Sequence, residues 1–95
     1  MLFVVTCLDK PGHAAVRAAN RGAHLDFVKA NAAAVKIAGP LLSDDGEGMV
    51  GSLLVIEASN RAELDALISQ DPYAEAGLFA GVEVRPWKWV IGAPD

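Results

Sequence analysis

Met1 to Leu8 form a continuous apolar run broken only by Thr6. A strand that is apolar at successive positions offers no face to water, so this one is expected to be covered on both sides. Its residues are good β-formers, and Asp9-Lys10-Pro11-Gly12 ends it with turn chemistry. A second strand is predicted over Met49 to Glu57, where Leu53, Leu54, Val55 and Ile56 are again too continuous for a solvated face. Gly51 within it suggests a bulge or a close backbone approach.

The remaining elements follow from spacing. His13 to Ala34 is rich in helix formers, with Ala14, Ala18, Leu25, Val28 and Ala32 on one stripe. Gly22 costs about 1 kcal/mol relative to Ala, which predicts a short helix, a kink near Asn20 and then a longer helix. Val35 to Leu42 reads as an edge strand because it contains Pro40, and Ser43 to Gly48 as a polar loop. Asn60 with Glu63 three positions on forms a capping pair for a helix carrying Leu64, Leu67 and Ile68. Pro72 ends that helix and sits well at the first position of another through Tyr73, Ala76 and Phe79, which makes Asp71 an N-cap. Val82-Glu83-Val84 alternates as a last strand. A bulge at Pro86 is predicted to shift the apolar phase to Trp87, Trp89 and Ile91, with both indoles on one side.

Strand, helix, strand, strand, helix, strand, with no repeat or linker, predicts one α+β domain over residues 1–95, a ferredoxin-like βαββαβ sandwich with an antiparallel sheet. Helices cover one sheet face, so a second subunit packed sheet to sheet is expected on the other. A 95-residue chain buries only about 60 to 65% of its unfolded surface, which leaves a thin core and favours such a homodimer.

A net charge of −4 and the lack of a basic, aromatic strand argue against nucleic-acid binding. The apolar opening is too short for a membrane span and lacks a basic leader. Cys7, the only cysteine, cannot form an intramolecular disulfide and is expected to pack as a small hydrophobe in a cytoplasmic protein.

For chemistry, Arg17, Arg21 and His24 fall in one helical row along the edge of the apolar stripe. A guanidinium is rarely buried without a partner, so the row should face a carboxylate or a concave polar site. His24 is the better candidate for proton transfer, with His13 solvated. Asp71, fixed by its cap geometry, is placed to orient an imidazole, or is a cap and nothing more. One Cys and two His without ligand spacing predict no metal. No cofactor motif is present, since Gly46-Glu47-Gly48 lacks a phosphate loop's context. Ser52 has no nucleophile-elbow surroundings and is assigned only a hydrogen-bonding role.

Arg17 and Arg21, Ala23-His24-Leu25, Ala38-Gly39-Pro40, Gly51-Ser52, Asp71-Pro72-Tyr73 with Ala76-Gly77, and Val84-Arg85-Pro86-Trp87-Lys88 together resemble the successive signatures of YciI-like (YCII-related) proteins. The resemblance covers nearly the whole chain; Gly22 departs from a proline often found there. It implies a dimeric α+β barrel and a pocket in which the family's His and Asp fall on His24 and Asp71. Relatives on this architecture include muconolactone isomerases and dehydrochlorinases. The expected function is therefore a lyase or isomerase using His24 and Asp71 on a small anionic cyclic or aromatic compound, with Arg17, Arg21, Ser52 and Tyr73 binding it. The competing expectation is a non-catalytic ligand-binding or dimerisation module, because one architecture hosts unrelated activities.

Overall fold

The computed structural model describes residues 1–94. Its elements in order are β1 (Leu2–Asp9), α1 (Ala14–Ala30), β2 (Val35–Leu42), β3 (Met49–Glu57), α2 (Arg61–Ile68), α3 (Pro72–Glu75) and β4 (Phe79–Trp87). The strands form one antiparallel sheet in the order β2-β3-β1-β4. This is the ferredoxin-like βαββαβ arrangement, with the short α3 added before the last strand.

Register fixes which residues share a face. Phe3, Val5 and Cys7 of β1 lie opposite Ile56, Leu54 and Ser52 of β3. The apolar members of this set pack with Val35, Ala58 and Leu64 to make the core beneath the helices. The alternate positions Leu2, Val4, Thr6 and Leu53 are only half-buried in the protomer, and Ile37 on β2 is exposed. Helices thus cover one face of the apolar strands, and the other retains an apolar surface.

Two sequence expectations are corrected here, besides the helix expected through Phe79: α3 ends at Glu75, and Phe79 begins β4. α1 runs unbroken for 17 residues through Gly22. A Cβ at Gly22 would meet nothing within 4 Å, so the glycine lies on the open side and costs only propensity while anchors on both sides hold the helix. The inward line is also different: Arg17 and His24 are the buried residues of α1, and Leu25 is 42% exposed. Of the expected apolar stripe only Val28 packs against the core; Ala14, Ala18, Leu25 and Ala32 are exposed. The second correction concerns Pro86, which pairs opposite Phe3 in a register that is continuous from Gly81 to Trp87. β4 is an edge strand, so a missing N–H there is tolerated without a bulge. The register shift falls instead at Leu8/Asp9. Trp87 ends the strand and Trp89 lies beyond it, with their rings 5.8 Å apart.

Local chemistry sets the helix ends. Asn60 caps α2, its side chain accepting from the Glu63 N–H. α3 closes with Gly77 at φ 72°, the Gly77 N–H donating to Ala74 O and the Leu78 N–H to Tyr73 O. That pair of bonds is a Schellman ending, and it requires the left-handed residue that glycine supplies. Leu78 and Tyr73 are both buried beside it.

Gly51 is the tightest point of the sheet. A Cβ there would sit 2.3 Å from the carbonyl oxygen of Cys7, and backbone cannot move aside as a side chain can. Gly51→Ala is therefore expected to cost about 1 to 3 kcal/mol by overpacking, read as a lower urea midpoint with an unchanged slope.

Candidate active site

The site begins with a charge that folding has to bury. Arg17, on the inner line of α1, is 5% exposed. Its Nε donates to Asp9 Oδ2 at 2.7 Å and its Nη2 to Asp9 Oδ1 at 2.9 Å, a two-point fork onto the last residue of β1. Nη2 also donates to Ser52 Oγ on β3 at 2.9 Å. The bond to Asp9 holds the Arg17 guanidinium more firmly protonated, in spite of its burial.

Two turns along α1, His24 Nδ1 lies 2.9 Å from Asp71 Oδ1. A carboxylate accepts, so Nδ1 carries the proton and Nε2 is the ring nitrogen left to exchange one. The same Oδ1 accepts the Tyr73 N–H at 2.9 Å, which is the N-cap bond of α3. Pro72 puts Asp71 into the extended conformation that a cap needs, with φ −62° and ψ 125°. Cap and partner to the imidazole are therefore roles of one oxygen.

Tyr73 ties the two halves together. Its ring stacks on His24 with centroids 4.1 Å apart and planes 16° from parallel. The Arg17 guanidinium carbon lies 4.6 Å from the same ring, within cation–π range. Burial pushes the Tyr73 phenol up, against the opposing pull of Arg17 and Arg21, so it stays neutral at physiological pH.

Arg17, Arg21, His24, Ser52 and Tyr73 line a cavity of about 140 Å³, closed on one side by Ala38, Gly39 and Pro40 of the edge strand β2. The structure thus brings all the predicted binding residues to one cavity, with Asp71 behind His24. Their positions differ in kind. Arg17 is matched by Asp9, whereas Arg21 is exposed and has no carboxylate within 4.0 Å among the described residues. Asp9, read in the sequence only as the start of a turn, is the residue that was missed. The signal for it was the rule that a buried arginine needs an acid; no spacing rule selects one eight positions back, across a turn.

The YCII-related domain pattern matches residues 1–88. An uncharacterised protein of Haemophilus influenzae is 34% identical over 98 residues, an alignment spanning 96% of this chain and all of that one. Protein YciI of Escherichia coli is 30% identical over the same spans. Among solved structures, the 5-chloro-2-hydroxyhydroquinone dehydrochlorinase of Burkholderia phenoliruptrix, in complex with 2,5-dihydroxybenzoquinone, is 37% identical. It superposes with a TM-score of 0.85 over 93% of this chain and 94% of its own.

Cys7 borders this region but is chemically silent. Burial, followed by the charges of Asp71 and Asp9, pushes its thiol up to about 12 from 9.0. As pH rises the unfolded chain loses the proton first, so the stability linked to Cys7 is intact below 9.0 and declines from there to about 12. The free energy of unfolding measured across that range should decline less steeply in Cys7→Ala than in wild type. Near neutral pH, iodoacetamide should label the folded protein only as fast as it opens.

Proposed function

This chain belongs to the YCII-related family, and on that footing we propose that it is a lyase or isomerase in which His24 and Asp71 move a proton on a small anionic cyclic or aromatic compound. The observation that carries this reading is the 2.9 Å bond between His24 Nδ1 and Asp71 Oδ1, buried behind a cavity bordered by two arginines. Asp71 holds the imidazole in one tautomer and stabilises the imidazolium once it forms. Nε2 takes a proton from the substrate while the electron pair moves toward a leaving group or a neighbouring carbonyl. Such proton transfer is worth roughly 10²- to 10⁴-fold in rate. Arg21, exposed and without a carboxylate partner among the described residues, attracts the anion; Arg17 fixes Ser52, whose hydroxyl hydrogen remains free to donate. Tyr73 supplies an aromatic wall. The dehydrochlorinase relative gives a precedent in its substrate class, a hydroxylated six-membered ring.

The competing reading, a binding module without catalysis, draws on the cap bond, which accounts for Asp71 without any chemistry. The two separate by mutation. Asp71→Asn can keep the cap while removing the anion behind the imidazole. It should therefore lower kcat/KM on a chlorinated hydroxyquinol by about 10²-fold or more, with a melting temperature near that of wild type. His24→Ala should lose at least as much activity. Turnover retained by Asp71→Asn, with Asp71→Ala costing on the order of 1 kcal/mol of stability alone, overturns the catalytic reading.

The same proposal includes a homodimer formed through the sheet face that the helices leave open, in a reducing cytoplasm where Cys7 stays a thiol. Val4, Leu53 and Ile37 supply its apolar centre. Sedimentation should give twice the mass of the 9.9 kDa chain; a stable monomer at micromolar concentration would remove this part of the proposal.

A further inference from the structure

A second cavity, of about 220 Å³, lies on the other side of Asp71 between the sheet and the helices. Its walls are Val5, Leu54 and Ile56 of the core sheet, Phe27 of α1, Ile68 of α2 and Phe79 of β4, and it opens toward the exposed Val82. Asp71 also borders it, and with Asp65 and Ser69 supplies the polar part of a mainly apolar lining; the Asp65 carboxylate is exposed and paired with Arg61, whereas that of Asp71 is buried.

That carboxylate is only half used. Asp71 is 5% exposed, and Oδ1 accepts both of its side-chain hydrogen bonds, from His24 and from Tyr73. Oδ2 accepts none from the described residues. Among these residues no fully enclosed side-chain nitrogen or oxygen lacks a partner, so Oδ2 is reached from open space, and the cavity that Asp71 borders provides it. An open acceptor set in a mainly apolar wall favours an occupant that donates one hydrogen bond to it over one that does not. The rest of the lining, with two phenylalanines and the aliphatic Val5, Leu54, Ile56, Ile68, Ala74 and Val82, favours an apolar body. Cavities of about 150 Å³ hold benzene, so the volume here admits a ring with one small substituent.

We propose that this cavity is a second ligand site, distinct from the one lined by the arginines, that takes a monocyclic neutral phenol with its hydroxyl donating to Asp71 Oδ2. Occupancy places a donor on the carboxylate that holds His24, so the two cavities communicate through the two oxygens of one side chain. The site stands on the geometry of Asp71 and does not require that His24 and Asp71 be catalytic.

The test uses 4-fluorophenol, with fluorobenzene as the probe lacking the donor, followed by fluorine NMR and by methyl shifts of the wild-type protein. 4-Fluorophenol should bind and move the methyls of Ile68, Val82 and Leu54, and fluorobenzene should bind at least about tenfold more weakly. Val82→Phe and Ala74→Leu, which fill the cavity from different elements, should weaken 4-fluorophenol by a similar factor, whereas Ala38→Leu, in the wall of the arginine cavity, should leave it unchanged. Three results overturn the proposal: shifts confined to Leu25, Val28 and Met49, equal binding of the two probes, or no shift at millimolar ligand. The wild-type shifts decide the matter even where a filling variant fails to fold.

Discussion

The contact on which the rest of the structure depends is the fork between Arg17 and Asp9. It joins the first turn of α1 to the end of β1, and through Ser52 to β3. A buried ion pair contributes little net stability, because desolvation offsets most of its attraction, but breaking one side of it is expensive. Its effect here is orientation. With Arg17 tied inward, the residue two turns later on the same line is His24, which must also face inward. An apolar stripe would have allowed α1 to roll on the sheet; a two-point fork does not.

Asp71 provides the matching constraint from the other side. Its position depends on Pro72 forcing an extended residue before it, on the cap bond to Tyr73, and on the Schellman ending at Gly77 that closes the four-residue α3. Such a short helix has almost no stability of its own. It is held because Tyr73 and Leu78 are almost fully buried and because both ends are locally satisfied. The Tyr73 ring then touches both halves of the site, so Arg17, Tyr73, His24 and Asp71 form one packed unit drawn from α1, α3 and the N-cap of α3.

Much of this was legible in the sequence where a residue type has one physical use. Pro72 at the start of α3, the Asn60 cap, the close approach at Gly51 and the edge position of Pro40 all follow from local chemistry, whereas Gly77, which ends the helix expected to run through Phe79, was not read as a stop. The ferredoxin-like order followed from the alternation of elements, and His24 with Asp71 from cap logic together with family resemblance. What failed was the assignment of faces. Periodicity selected the alanines and Leu25 of α1 as the core stripe, since small apolar residues outnumber the others there, whereas the buried line carries Arg17 and His24. A hydrophobicity pattern does not register a charge that brings its own partner. The partner, Asp9, lies in another element, so tertiary contact alone could reveal it. At Pro86 the rule that proline disrupts a ladder was applied without the edge position that makes it harmless.

The charges around the arginine cavity bear on the direction of the proposed chemistry. Arg17 and Asp9 cancel locally, so the balance rests on Asp71, His24 and Arg21. With a neutral imidazole, Asp71 and Arg21 also cancel, and an incoming anion meets no net field beyond the exposed arginine. Once Nε2 has taken a proton, the site carries one positive charge, next to a substrate made more negative by the same step. Charge that develops in a preorganised, poorly solvated site is stabilised more strongly than in water. The arrangement therefore favours the deprotonated substrate over the protonated ground state, which is the difference a proton-abstracting catalyst needs. A site built only to bind would gain more from a second unpaired cation than from a histidine backed by an acid.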